Sequence, residues 1–292
     1  MLDRVDRMLL AVKDRERATE TFVRLFGARF EREAPSAALN AQRSILRIGD
    51  SELELCQPSG EGRAQAHLDR WGEGLIAAGY ASSRLPALLE RLQSHGVAFE
   101  RDGAQAFIPA SSTYGFPMML SPWVQKERVG PVSFIYEATN ALDTDWRVVS
   151  ARYSEIFGLD ASRFSEIGSE RFGYAGTLTL FDPPARLDRI ELSQTFAGKA
   201  GAMRRFVERR GGDGLYMCYM ESDRFDELKE RLLAGGAVLT PRGPDVASER
   251  DNVWVHPKSL HGMLLGISRE TFAWDWSGRP ELITEPRPLT SR

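Results

Sequence analysis

The feature that most constrains this chain is that it contains itself twice. Residues 72–103 laid over residues 212–243, a constant offset of 140, agree at 11 of 32 positions, among them Gly74/Gly214, Leu75/Leu215, Arg84/Arg224, Glu90/Glu230 and Gly96/Gly236. The match continues in Phe26-Gly27 against Phe157-Gly158, Glu54-Leu55 against Glu191-Leu192, and Tyr114-Gly115 against His261-Gly262. So long a period exceeds that of a solenoid repeat and fits a duplicated domain. At 292 residues the chain is long enough for two cores of ordinary size. The expected division is residues 1–123, residues 130–275 and a proline-rich tail over residues 276–292, with Pro122 and Gly130 punctuating the link.

Hydrophobic periodicity gives each half the same order of elements. A strand at 5–12 precedes a helix at 14–26 closed by Gly27, and alternating residues at 44–55 follow. A second unit runs from a strand at 75–80 through a helix at 83–94 to strands near 97–99, 106–108 and 116–120. The later half repeats this with strands at 132–138, 177–180, 189–192, 215–220, 238–239, 253–256 and 263–267, and helices at 145–157 and 223–234. The fold class is therefore α+β, four units paired into two domains.

Thirty-eight basic residues against forty-one acidic ones give a net charge of −3, so no global field draws in nucleic acid or an anionic membrane. A small molecule is the expected partner. Cys56 and Cys218 fall in apolar strand-like runs, as reduced thiols of a cytoplasmic protein do. Residues 1–7 carry charges where a signal peptide needs an apolar core, and no stretch approaches 18 apolar residues, so neither export by that route nor a membrane-spanning helix is expected.

Two segments carry a resemblance. Gly72-Glu73-Gly74-Leu75 leading into a strand, and His256-Pro257-Lys258-Ser259-Leu260-His261-Gly262 before the last strand, resemble the vicinal oxygen chelate superfamily, which holds glyoxalase I, methylmalonyl-CoA epimerase, extradiol dioxygenases and bleomycin-resistance proteins. The resemblance spans about residues 3–270 and is most similar in length to the two-domain dioxygenases. It implies tandem glyoxalase-like domains, each two paired βαβββ units curling one sheet into a cup, with a divalent metal held from four strand positions. Those positions fall on Arg7, Glu54, Ala77 and Met119 in the first domain, and on about Ser133, Glu191, Met217 and Gly266 in the second. Only the glutamates are suitable donors; alanine and glycine offer none, methionine is soft, and Arg7 would repel a cation. No metal cofactor is therefore expected.

A carboxylate in an apolar cup is disfavoured as an anion, which raises its pKa toward the range of a general base or acid. Glu191 is the stronger catalytic candidate, because Glu54 has Arg7 available as an ion-pair partner. Tyr216 is a hydroxyl to orient a substrate oxygen, and Tyr136, Met217, Tyr219 and Trp254, with Arg7 and Met119 in the first cup, are candidate substrate contacts. His256 and His261 flank a turn and are expected in solvent, as are His67 and His95. The arginines in residues 204–210 read as a solvated face, or as a handle for a substrate carboxylate or phosphate.

Three functions compete. The first is a metal-independent isomerase- or lyase-type proton transfer on an apolar carbonyl compound, with Glu191 as base. The second is a non-catalytic ligand-binding protein of the bleomycin-resistance type. The third is a dioxygenase-like metal enzyme with unorthodox ligands such as Glu191 and His256. A homodimer suits any of them.

Overall fold

The computed structural model describes residues 1–241 and 250–286; Gly243 of the repeat and Pro288 of the tail lie outside them. The first half contains β1 (Arg4–Ala11), α1 (Arg15–Phe26), β2 (Arg29–Ser36), β3 (Ala41–Ile48), β4 (Ser51–Pro58), α2 (Arg63–Trp71), β5 (Gly74–Ser82), α3 (Leu85–Ser94), β6 (Glu100–Asp102), β7 (Gln105–Ile108) and β8 (Met118–Pro122). The second contains β9 (Phe134–Leu142), α4 (Trp146–Phe157), β10 (Ser165–Ser169), β11 (Tyr174–Leu178), β12 (Arg189–Thr195), α5 (Ala202–Arg210), β13 (Gly214–Ser222), α6 (Phe225–Ala234), β14 (Leu239–Pro241), β15 (Asn252–Val255) and β16 (Leu265–Arg269). Each half forms one eight-stranded sheet, ordered β2-β3-β4-β1-β5-β8-β7-β6 and β10-β11-β12-β9-β13-β16-β15-β14. The two orders are identical under the repeat.

Local chemistry places the helices. Asp14 accepts a hydrogen bond from the Arg17 amide and Gly27 closes α1 at φ 65°; Asp145 and Gly158, at φ 64°, do the same for α4. Along β1, Met8 and Leu10 join a core continuous between the two halves, while Leu9 and Ala11 join a smaller cluster in the first cup. The second cup has its own cluster around Tyr136, Leu178, Met217 and Tyr219. Burying a residue such as Phe22 or Leu10 in the shared core contributes about 2 kcal/mol.

The motif pairs that revealed the duplication dock the halves onto each other. Gly115, at φ 73°, lies against the Asp213 backbone, where an added Cβ would sit 1.9 Å from the carbonyl oxygen. Gly262, at φ 84°, lies against the Glu73 backbone at 1.8 Å by the same measure. The contact is reciprocal, and at each place backbone conformation and close approach both require glycine. The Val5 amide donates to Asp188 Oδ1 at 2.7 Å, and the Tyr153 hydroxyl to the Thr113 carbonyl at 2.8 Å, fixing the seam further.

Sequence periodicity misses β2, β10 and α2, whose faces are largely exposed. The tail builds no core of its own, yet Trp276, Leu282 and Ile283 pack onto the second cup. Both cysteines are buried and free. Among the described residues no helix is long and apolar enough to cross a membrane.

Candidate functional site

The strand register shows that the two cups carry the same ion pair with its charges exchanged. Arg7 on β1 faces Glu52 on β4, and at the equivalent points of the second sheet Glu137 on β9 faces Arg189 on β12. The Arg7 Nη1 to Glu52 Oε2 distance is 3.1 Å and the Arg189 Nε to Glu137 Oε2 distance 2.6 Å. A size exchange accompanies this. The Arg7 side chain lies across Gly79 in the first cup, whereas at the position equivalent to Gly79 the second has Tyr219, whose ring lies across Gly266. Ser133, expected at the first ligand position, precedes the sheet; Glu137 stands at the place equivalent to Arg7.

In the first cup these exchanges consume the carboxylate. Glu54 is fully buried, with Oε1 2.5 Å from Arg7 Nη1 and Oε2 2.8 Å from Arg43 Nη1. Burial alone would raise its pKa, but the charges of Arg7 and Arg43 hold it below the usual carboxylate value. Arg7 also binds Asp6 at 2.7 Å and Ser121 at 3.1 Å. Glu54 thus has no oxygen free for a proton transfer, Arg7 is committed to the network, and Met119 is fully buried.

Glu191 in the second cup meets the opposite environment. Its carboxyl accepts from Ser193 Oγ at 2.5 Å and Thr139 Oγ1 at 3.1 Å, and among the described residues no arginine bonds to it, Arg189 being turned to Glu137. Burial, followed by the charge of Glu137 and hydrogen bonding with it, pushes the Glu191 pKa up to about 8. Glu137 Oε1 meets no other donor, so the proton on Glu191 answers an otherwise unpaired buried acceptor. Glu137 carries no sequence signal unless the register is known.

A cavity of about 1290 Å³ opens onto Glu191 and is lined by Tyr216, Met217, Tyr219 and Trp254. Tyr216 is half-buried; burial raises its pKa to about 12, with Arg205 and Glu191 as the charges acting on it. Trp254 donates to the Tyr219 hydroxyl at 2.7 Å. Tyr136 lies behind this wall, fully buried, its hydroxyl 3.0 Å from Ser268 Oγ and its ring 4.7 Å from the Arg189 guanidinium, so it supports the pocket instead of lining it. The first domain contributes His67, Trp71 and Glu73 to the same cavity, and the last segment contributes Trp276. His67, expected in solvent, is largely buried, and burial followed by the charge of Arg210 lowers its pKa to about 4. His261 is also drawn inside, between Glu73 Oε2 at 3.0 Å and Thr21 Oγ1 at 3.2 Å. His256 lines the cavity, with Nδ1 accepting from the Lys258 amide.

Neither cup offers a set of donors suited to a divalent metal. The first holds a guanidinium where a cation would sit. The second has one carboxyl protonated and the other bound to Arg189, beside Thr139, Met217 and Gly266. Among the described residues no group of three or more His, Cys, Asp or Glu is gathered to hold a metal.

Residues 6–114 match the family model described as the Glyoxalase/Bleomycin resistance protein/Dioxygenase superfamily. That match lies within the first half of the chain. Its fold is similar across both halves to a mutant 4-hydroxymandelate synthase from Streptomyces coelicolor, with a TM-score of 0.73 at 13% identity over 92% of this chain and 93% of that one. A fusion of a xylose isomerase-like TIM barrel with 4-hydroxyphenylpyruvate dioxygenase is similar over 92% of this chain and 49% of its own, with a TM-score of 0.62 and 13% identity. No curated protein matches the sequence. At these identities the likeness shows the tandem glyoxalase fold, and the reaction is not carried over.

Proposed function

We propose that the second cup is the active site of a metal-independent isomerase- or lyase-type enzyme that moves a proton beside the carbonyl of an apolar compound. The observation that carries this reading is a carboxyl with a pKa near 8, open to an aromatic-lined cavity and bonded to no arginine among the described residues. A general base works best when its pKa lies near the operating pH, and Glu191 meets that condition where Glu54 does not.

In the reaction Glu191, as carboxylate, takes the proton from the carbon next to the carbonyl. The electron pair of that C–H bond moves to the carbonyl oxygen, and the enolate so formed accepts a hydrogen bond from the Tyr216 hydroxyl. Return of the proton to carbon gives the isomer; expulsion of a leaving group from the neighbouring carbon gives the unsaturated product. The nearby carboxylate of Glu137 raises the affinity of Glu191 for the proton it receives, while Arg189 neutralises Glu137.

Incubating the protein with a panel of aryl-substituted ketones and keto acids in D2O, and reading deuterium at the α-carbon by NMR, tests the assignment. Enzyme-dependent exchange that is lost in Glu191→Gln supports it. Exchange that survives the substitution contradicts it, and binding of the same compounds with no exchange favours a ligand-binding protein of the bleomycin-resistance type.

A further inference from the structure

The wall of the cavity in the second domain holds cations that no anion among the described residues answers. Arg171, Arg205, Arg209 and Arg210 all line it, and among the described residues none makes an ion pair. Their neighbour Arg204, by contrast, is engaged by Asp143 at 2.7 Å and Glu208 at 2.9 Å and does not reach the cavity. The helix that reads as one solvated face is therefore split into a satisfied side and an unsatisfied one.

Arg210 is the most confined of the four. Its guanidinium lies 4.3 Å from the centre of the Trp71 ring, contributed by α2 of the first domain, and 5.2 Å from Phe206 on its own helix. Its Nε is buried with no partner. Burial, then the like charges of Arg209 and Arg70, lowers its pKa to about 10, the reverse of what a paired arginine shows. Beside it His67 presents a buried Nε2, also without a partner, on an imidazole kept neutral by burial and by Arg210. The cavity's acidic residues are accounted for elsewhere or exposed: Glu73 is held by His261, Glu191 carries its proton, and Glu166 and Asp275 are exposed. A half-buried guanidinium held against two rings keeps N–H donors for an oxyanion, and a neutral imidazole beside it can donate one further hydrogen bond.

We propose that Arg210, held against Trp71 of the first domain and Phe206 of the second, together with His67, forms a seat for a carboxylate or phosphate group of the ligand. This rests on the reading of the second cup as the working site and narrows its substrate class to an anion with an apolar body. The first domain gains a role in the same way, because its own cup carries a network of paired charged side chains and it supplies α2 as part of the wall of the other.

Titration calorimetry on the intact protein tests the seat with three probes: phenylacetate, phenyl phosphate and the neutral phenylacetamide. Phenylacetate or phenyl phosphate should bind, the tighter of the two naming the oxyanion. Arg210→Met should weaken that binding tenfold or more and leave phenylacetamide unchanged, Trp71→Ala should weaken it as well, and Arg204→Met should leave it untouched. The His67 Nε2 resonance should move when the anion binds. Equal anion affinity in wild type and Arg210→Met, or no anion binding in the wild type, overturns the proposal. Glu191→Gln should retain anion binding even if it shows that the chemistry assigned to that residue is wrong, so the two readings fail separately.

Discussion

Replacing Arg189 by methionine would strand the Glu137 carboxylate in the wall of the second cup. Arg189 and Glu137 are both fully buried, joined at 2.6 Å, and Arg189 also donates to Ser277 Oγ at 2.9 Å and lies over the Tyr136 ring. Breaking one side of such a pair typically costs about 3–5 kcal/mol, because the remaining charge loses its partner without regaining water. Methionine fills most of the arginine's length, so packing loss adds little and the electrostatic term dominates. Equilibrium urea unfolding followed by tryptophan fluorescence would measure the cost. In the double variant Arg189→Met/Glu137→Leu most of the lost stability should return, since an apolar pair of similar volume needs no compensation. A deficit under about 1 kcal/mol, or a double variant as unstable as the sum of the single ones, would refute the idea that this pair is a mutually dependent buried unit.

Three other outcomes follow from the same geometry. Because burial and Glu137 raise the Glu191 pKa from 4.5 to about 8, its stabilising contribution is complete below about pH 4.5 and lost as pH rises through about 8; Glu191→Gln should flatten the decline of unfolding free energy over that window, by on the order of a few kcal/mol. Tyr216→Phe removes the hydroxyl and leaves the ring beside Phe206, so kcat for an active carbonyl substrate should fall roughly tenfold to a hundredfold with KM little changed. Gly262→Ala places a methyl against the Glu73 carbonyl at a left-handed backbone position, and should lower the thermal midpoint by several degrees, whereas Gly96→Ala, with open space around it, should lose only what its backbone conformation costs.

The duplication is legible because the residues that preserve it are those with the least freedom. Gly115 and Gly262, and Gly74 and Gly214, persist at matching places because the two domains meet through their backbones there. Glu54 and Glu191 are legible for a related reason, lying on strands whose alternation survives in both halves. What the sequence conceals depends on register. A ninth strand entered near residue 132 puts the first ligand position at Ser133, four residues short of Glu137, and the exchanged charges of Arg7–Glu52 and Glu137–Arg189 cannot be seen until both strand pairs are aligned. His67 reads as a surface residue as long as α2 goes unrecognised. Its Ala64, Leu68 and Trp71 fall at helical spacing between Gly62 and Gly72, a signal that is present but short and surrounded by charge. The arginines of α5 show a different limit: charge alternation describes the helix, but only the placement of Asp143 and of Trp71 tells that Arg204 is paired and that Arg210 lies against a ring.

Difference infrared spectroscopy of wild type against Glu191→Gln, recorded from pH 5 to 10, tests most directly whether the second cup holds a proton-bearing carboxyl. A protonated carboxyl band belonging to Glu191 should persist through pH 7 and disappear near pH 8. A Glu191 carboxyl already ionised at pH 6 would contradict the account.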